Sequence, residues 1–240
     1  MSDLPVSYAI RHRSLATRRL RRATRIGDWT SVILAVVDQA DPNTWVRRCP
    51  VGTSSAIEAP VLFWALEAGE SAAVEALLLA GASVTVRRTT DAHEASHGET
   101  ALDWVRKEAD LLALLRAGLG QFVPCGNAYR DSVLHVASEH GWVEAVRYVV
   151  RCNGMVEVRN HVGHTPLHAL VRCPHPPRER IYLRRTLTFL VKAGASLEAR
   201  DHQGLTPLDH ALLHNPGMVR FLVEAGADGA PTSPKETMTV

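Results

Sequence analysis

The 240-residue sequence has few aromatic residues, little net charge and no long apolar run. Aromatic residues make up 5% of the chain and apolar residues 46%, so alanine and leucine supply much of the core and favour helices. The net charge of +2 is too small to indicate a nucleic-acid partner by itself. No apolar stretch approaches the roughly 18 residues that a membrane-spanning helix needs, so we expect no transmembrane segment.

Cysteine is also scarce. The four cysteines, Cys49, Cys125, Cys152 and Cys173, include no CxxC pair and therefore no common metal or redox motif. We interpret them as reduced thiols. The first residues lack the apolar segment of a secretory signal peptide. Together these features predict an intracellular protein, in the cytoplasm, the nucleus or both.

An arginine-rich segment near the start is strongly basic, in contrast to the small net charge of the whole chain. Residues 11–25, RHRSLATRRLRRATR, contain seven arginines and no acid, and without them the net charge falls from +2 to −5. A nuclear-import signal, an arm for acidic partners and a mitochondrial presequence all remain open. We favour the solvated face of a first helix, preceded by a basic arm at residues 1–14. The buried stripe of that helix would consist of Leu15, Leu20, Ala23 and Ile26.

A related motif recurs along the chain. The segment from Gly163 begins GHTPLHAL, the segment from Gly204 begins GLTPLDHAL, and weaker copies precede them. The copies start at positions 18, 60, 100, 132, 165 and 206, which are separated by 42, 40, 32, 33 and 41 residues. Two spacings match a repeat period of about 33 residues, and the longer ones indicate insertions in loops.

Each copy combines signals that start and end a pair of short helices. Threonine or serine at the first position can cap a helix, and proline suits its first turn. A second helix with an apolar stripe follows, and the last one ends in Ala225-Gly226-Ala227. Such a pair cannot bury its own apolar face, so neighbouring pairs must stack.

These motifs resemble the ankyrin-repeat family. The T-P-L-H-x-A signature stands as TPLHAL from Thr165, as SVLHVA from Ser132 and as TPLDHA from Thr206. The resemblance covers residues 15–228 and implies an all-α solenoid of about six repeats with β-hairpin fingers. Residues 229–240 remain as a tail that we expect to be disordered. The family also implies a non-enzymatic, monomeric module that binds another protein, as an adaptor, scaffold or inhibitor.

Three segments depart from the family pattern. Residues 41–58 and 84–99 lengthen two fingers, and the proline-rich residues 173–180 interrupt a repeat between its helices and predict a protruding loop. An aromatic side chain beside arginines is a frequent binding hot spot. The finger candidates for partner contact are therefore Trp45, Arg47, Arg48, Arg87 and Arg88. The alternative for Trp45 is that it folds back onto its own repeat.

Histidines are concentrated in HVGHTPLHALVRCPHPP, residues 161–177. The possible zinc ligands there are His161, His164, His168, Cys173 and His175. Their spacing matches no zinc motif, and the resemblance gives His168 a structural role at a helix start. The others fall on a finger and on the inserted loop, so we expect no shared ion, no other metal and no cofactor. Common hydrolase, metalloprotease and phosphate-loop motifs are absent, so we also expect no catalytic site.

The resemblance places the binding surface on the fingers and on the exposed side of each first helix. The residues at those positions are His97, Glu99, Tyr129, Asp131, His140, His161, Val162, His164, Arg172, His202, Gln203, Leu205 and His214. Since six of them are histidines, we hypothesise that partner affinity changes between about pH 5 and 7.5. The alternative is that histidine is simply a common polar residue on such fingers. Trp64 and Trp104 are expected in the core between repeats.

A second hypothesis, from another class of function, uses the arginine-rich segment. Its charge could bind the phosphates of a nucleic acid or a membrane surface, and such binding would weaken with salt. We favour protein binding, because the rest of the chain is net acidic and shows no basic face interleaved with aromatic residues.

Overall fold

A computed structural model describes residues 6–50, 56–88, 98–120, 124–153, 155–172 and 180–228. In these ranges the chain consists mainly of short helices that follow one another in pairs. It divides into two compact units, residues 1–119 and 120–240. No helix within the described ranges is both long and apolar enough to cross a membrane.

The first unit is built around α3, whose sequence VLFWALEA is apolar at nearly every position. Phe63 and Trp64 on this helix are fully buried. The ring of Trp104 lies 5.7 Å from that of Phe63 and 5.3 Å from that of Trp64, so both tryptophans lie in the core as predicted. The helices of this unit are α1 (Val6–Ile26), α2 (Trp29–Val37), α3 (Val61–Ala68), α4 (Ser71–Leu79), a 3-10 helix (Ala101–Trp104) and α5 (Glu108–Arg116).

The first long finger forms a β-hairpin. Strand β1 (Trp45–Arg48) pairs with β2 (Ile57–Pro60) in the antiparallel direction. The indole Nε1 of Trp64 donates a hydrogen bond of 2.9 Å to the carbonyl of Val46. The side chain of Val46 is buried on the inner face of the hairpin. Because side chains alternate along a strand, the neighbouring Trp45 faces outward and is 37% exposed.

The second unit contains helix pairs that stack through equivalent faces. Helix α8 packs between α6 and α10, and α9 packs between α7 and α11. Leu134, Leu167 and Leu190 are fully buried in this stack. The helices are α6 (Val133–Glu139), α7 (Val143–Asn153), α8 (Pro166–Arg172), α9 (Arg180–Lys192), α10 (Pro207–His214) and α11 (Pro216–Glu224).

The buried face of α1 differs from the predicted stripe. Leu20 and Ala23 are buried as expected, but Leu15 and Ile26 are 49% and 70% exposed. Ala16 is buried instead. Positions 16, 20 and 23 follow the helical period. Leu15 and Ile26 lie together on one side of that face, so the predicted stripe was too wide.

The bounds predicted for three segments agree with the described structure only in part, or lie outside it. The boundary at residue 14 lies inside α1, which begins at Val6. Of the predicted loop at residues 173–180, only Arg180 is described, and it begins α9. The predicted tail at residues 229–240 lies outside the described residues.

Candidate functional site

Three successive repeats of the second unit are joined by two histidines, one in the first turn of α6 and one in the first turn of α8. His168 Nδ1 accepts a hydrogen bond of 3.1 Å from the Thr165 amide, and its Nε2 lies 3.1 Å from the carbonyl of Leu205 in the following repeat. His135 makes the equivalent contacts and reaches the carbonyl of His164 at 2.9 Å. Burial lowers the pKa of His168 to about 4 despite its bond to Leu205. The predicted structural role of His168 is confirmed.

Backbone hydrogen bonds join three successive fingers of this unit into a row. We call residues 127–131, 160–164 and 201–205 the finger row. The His161 amide donates to the Tyr129 carbonyl at 2.9 Å, and the His202 amide donates to the Val162 carbonyl at 3.1 Å. The fingers are therefore fixed to one another by their main chains.

Each finger turn is also held from within. Asn160 Oδ1 accepts hydrogen bonds from the amides two and four residues later, at 3.1 and 2.9 Å. Asp201 Oδ1 accepts the same pair of bonds at 2.8 and 3.0 Å. Gly163 and Gly204 supply the left-handed backbone that the turns need, with φ of 82° and 81°. This geometry fixes the direction in which the tip side chains point.

Most of the predicted contact residues on these fingers and helices are accessible. Tyr129 is 38% exposed. His140, His161, His202, Gln203 and His214 are exposed, and Val162 and Leu205 are half-buried. A cavity of about 380 Å³ opens beside them. It is lined by Tyr129, His161, Val162, His164, Asp201, His202, Gln203, His210 and His214.

His164 departs from the predicted exposed position. It is only 6% exposed, and its ring stacks on that of His168 at 5.4 Å and meets that of His210 edge-on at 4.8 Å. Its amide is held by Asn160 and its carbonyl by His135, so its backbone is fixed on both sides and its side chain packs between repeats. His164 is part of a buried histidine cluster rather than an open finger tip.

A buried carboxylate faces this cluster. Asp201 Oδ2 lies 2.8 Å from His210 Nε2 and 3.4 Å from His164 Nε2. Burial, followed by the neighbouring His210, lowers the pKa of His164 to about 4. Burial by itself would raise the pKa of Asp201, but the hydrogen bond from His210 and the turn amides lower it. An ionised carboxylate therefore faces a neutral imidazole of His164, a combination that can ligate a metal ion.

Asp201 and His210 were missing from the sequence-based candidates. The zinc candidates at residues 161–177 are close together in the sequence, whereas Asp201 and His210 lie 37 and 46 positions after His164. The signal that finds them is repeat register, because Asp201 precedes its helix anchor by five residues and His210 follows it by four. The stacking of adjacent repeats brings Asp201 and His210 next to His164, which directly precedes Thr165, the anchor of the previous repeat.

Asp131 and Arg172, both predicted partner contacts, bind each other instead. Arg172 Nη2 lies 3.0 Å from Asp131 Oδ2 and 2.6 Å from Glu139 Oε2. Asp131 is fully buried; burial by itself would raise its pKa, but the Arg172 charge and the Asn160 amide lower it. The Tyr129 ring lies over the guanidinium at 4.3 Å. This network supports the finger row from below.

Two candidates of the first unit likewise bind each other. Arg88 is buried, and its Nε lies 2.9 Å from Glu99 Oε2. The same carboxylate oxygen accepts a hydrogen bond of 3.0 Å from Trp104 Nε1. Arg88 and Glu99 also pair through their main chains. They stabilise the base of the second long finger, so their side chains are engaged within the unit.

The remaining candidates of the first unit are accessible or lie outside the described residues. Trp45, Arg47 and Arg87 are exposed, whereas Arg48 is half-buried. The Arg48 guanidinium lies 5.7 Å from the centre of the Trp64 ring. His97 falls outside the described ranges.

Sequence comparison gives a partial match. No family model matches the sequence. The chain is 30% identical over 99 residues to Neurogenic locus notch homolog protein 1 of Mus musculus, and 29% identical over 99 residues to that of Homo sapiens. Each match covers 41% of this chain and only 4% of the relative's length.

Comparison with solved structures covers most of the chain. One similar chain belongs to the complex of the Bd0816 predatory endopeptidase from Bdellovibrio bacteriovorus with the immunity protein Bd3460, with a TM-score of 0.58, 21% identity, and coverage of 86% of this chain and 97% of that one. The ankyrin repeat domain ABAYE2397 from Acinetobacter baumannii has a TM-score of 0.56 and 22% identity, and covers 87% of this chain and 98% of its own.

The ankyrin repeat domain of Bcl-3, a member of the IkappaB protein family, has a TM-score of 0.57 and 22% identity over 88% of this chain and 86% of its own. These likenesses show an ankyrin-repeat solenoid fold. The recurring capping motifs and stacked helix pairs agree with that fold in both units. The chain therefore has the fold of an ankyrin-repeat solenoid.

Proposed function

We propose that the chain is a non-enzymatic protein-binding module whose partner contacts the finger row and the adjoining ends of α6 and α10. The observation that carries this proposal is the main-chain bonding between fingers, from His161 to Tyr129 and from His202 to Val162. These bonds hold the backbone rigid while the tip side chains remain accessible. A surface ordered before binding loses less entropy when a partner docks.

The accessible residues suit a partner with mixed polar and apolar contacts. Tyr129 offers an aromatic face that is already fixed over Arg172. His161, His202 and Gln203 offer hydrogen-bonding groups, and Leu213 on α10 is 66% exposed. Aromatic side chains supported by surrounding packing are frequent hot spots of protein interfaces. The partner surface should therefore carry hydrogen-bonding groups around an apolar side chain.

The similar structures support the same assignment. The chain that resembles this one in the Bdellovibrio structure comes from a complex between an endopeptidase and an immunity protein. The Bcl-3 domain belongs to the IkappaB protein family. By analogy, this chain would act as an adaptor, a scaffold or an inhibitor that occupies a partner without transforming it.

The decisive experiment removes the tips without disturbing the turns. A triple variant, Tyr129→Ala, His161→Ala and Gln203→Ala, truncates one side chain on each finger. Partners are captured with the wild-type chain, identified by mass spectrometry, purified and titrated by calorimetry. We expect the triple variant to weaken binding by about 2–4 kcal/mol, the range of a few hot-spot truncations.

Tyr182→Ala provides a matched control. Tyr182 lies on α9 and is 53% exposed, so it removes a tyrosine of similar accessibility from a second helix. The control should bind the partner with wild-type affinity. If the triple variant binds normally, or if Tyr182→Ala abolishes binding instead, the finger row is not the interface.

A further inference from the structure

Two histidines and an aspartate from adjacent repeats converge beside the finger row. His164 precedes α8, Asp201 lies in the next finger, and His210 lies on α10. One ligand atom from each lies within 4.8 Å of the others. Their exposed fractions are 6%, 7% and 6%, so all three are largely removed from solvent. All three also line the cavity beside the finger row.

The imidazole of His164 makes the weaker contact with Asp201. Its Nδ1 is buried and has no hydrogen-bond partner in the described part of the chain, and the same is true of His210 Nδ1. His164 Nε2 lies 3.4 Å from Asp201 Oδ2, which is longer than a normal hydrogen bond of about 2.7–3.2 Å. Buried polar groups almost always have a close partner, and His164 Nε2, which has only this long contact, is the atom that an ordered water or an ion would satisfy.

The two carboxylate oxygens of Asp201 make different contacts. Oδ1 accepts the amide hydrogen bonds that hold the finger turn, at 2.8 and 3.0 Å. Oδ2 faces the Nε2 atoms of His210 and His164. The turn fixes the carboxylate through one oxygen and leaves the other directed at both imidazoles. Carboxylates that bind metal ions are commonly oriented in this way, by hydrogen bonds from neighbouring groups.

We propose that His164 Nε2, Asp201 Oδ2 and His210 Nε2 bind a divalent transition-metal ion, with zinc(II) as the preferred species. Two imidazoles and one carboxylate are a donor set that suits zinc, and three protein ligands leave a further coordination position open. The ion would give His164 Nε2 a short bond in place of its long contact with Asp201. It would also replace the hydrogen bond between His210 and Asp201 with two metal–ligand bonds.

The two separations from Asp201 lie near those around a zinc ion. Zinc–ligand bonds of about 2.0–2.2 Å place two tetrahedral ligands about 3.3–3.5 Å apart. His164 Nε2 and Asp201 Oδ2 already have this separation, at 3.4 Å. His210 Nε2, at 2.8 Å from the same oxygen, would have to move away by roughly half an ångström.

The open coordination position would face the cavity. His161, His202 and His214 line the same cavity and are exposed. The ring of His214 lies 5.9 Å from that of His210. A water molecule or one of these exposed rings would complete the coordination. This proposal is independent of protein binding, because the three ligands all belong to this chain.

The repeats of this chain supply a matched replacement for each ligand. Leu205 stands at the position equivalent to His164, Ala169 at that of His210, and Asn160 at that of Asp201. The test variants are therefore His164→Leu, His210→Ala and Asp201→Asn. Asn160 already holds its own turn with Oδ1, so Asp201→Asn keeps the turn and removes the charged oxygen.

The test uses the full chain, stripped of metal with a chelator and titrated with zinc(II) by calorimetry. We expect one ion per chain, and a loss of affinity of about tenfold or more in each ligand variant. His140→Ala, which removes an exposed histidine outside the cluster, should bind zinc like the wild type. Circular dichroism of each metal-free variant confirms that it is folded.

Two further measurements keep the proposal testable if a variant fails to fold. In the wild-type chain, zinc should shift the imidazole ¹⁵N resonances of His164 and His210. Cobalt(II) in place of zinc should give a spectrum without a thiolate charge-transfer band, which excludes the exposed Cys49 and Cys152 as ligands. Absence of saturable binding, unchanged resonances, or full affinity in all three ligand variants would overturn the proposal.

Discussion

At the scale of single residues, one position of the repeat serves different purposes in successive copies. Asn127, Asn160 and Asp201 each lie five residues before a helix anchor and each accept a backbone amide in their turn. The aspartate differs in carrying a charge, and next to it lie two imidazoles. A conservative change at a turn residue thus creates a potential ligand without changing the backbone.

The buried ion pair between Arg172 and Asp131 gives the first prediction. Replacing Arg172 by Met leaves Asp131 buried without its counter-charge, and breaking such a pair by removing one partner costs about 3–5 kcal/mol. We expect a loss near the lower end of this range in urea unfolding, because the Asn127 and Asn160 amides still bind the carboxylate. Adding Asp131→Asn should recover part of the loss.

The control for this prediction is Arg220→Met. Arg220 pairs with Glu224 at 2.6 Å, but its side chain is 83% exposed, so its loss should change stability by less than about 1 kcal/mol. Because the pKa of Asp131 is lowered in the folded chain, its contribution exists above the unfolded pKa of about 3.9 and is lost as the pH falls through the folded value. Equal costs for both arginine variants would contradict the burial argument.

At the scale of elements, the fingers depend on glycines whose roles are unequal. Gly163 and Gly204 have nearly the same φ, 82° and 81°. A Cβ on Gly163 would lie 2.9 Å from the backbone nitrogen of His202, whereas one on Gly204 would meet no atom within 4 Å. The first glycine therefore permits close contact between fingers, and the second serves only its own turn.

This difference predicts different costs for the two alanine substitutions. Gly204→Ala should cost about 1 kcal/mol from left-handed backbone alone. Gly163→Ala should cost about 1–3 kcal/mol more, because the added methyl group displaces His202 and breaks its hydrogen bond to Val162. Urea unfolding measures both costs, and hydrogen exchange at the His202 amide reports the broken bond. Equal stability of the two variants would show that the fingers are not closely packed.

At the scale of the whole molecule, repeat period and capping motifs were enough to predict the fold. Helix starts at 132, 165 and 206 follow from residues that act locally, such as Thr165 and Pro166. The surface was harder to predict, because burial of a finger residue depends on the neighbouring repeat. Arg172 binds Asp131 from 41 positions away, and His164 packs against His210 across a repeat boundary. Position within one repeat cannot reveal such partners.

The charge distribution of the whole chain separates the two functional hypotheses. Reversing Arg18, Arg19, Arg21 and Arg22 to Glu changes the net charge from +2 to −6. All four side chains are exposed on α1, and the pair between Arg19 and Asp38, at 3.5 Å, is itself exposed, so the helix should stay folded. If the finger row of the second unit binds the partner, this variant retains its affinity within about twofold at physiological salt, because none of the four arginines belongs to that row. Binding to a polyanion such as duplex DNA, measured at low and high salt, should be lost, because it depends on phosphate contacts. Loss of partner affinity together with polyanion binding would instead place the interface on the arginines of α1.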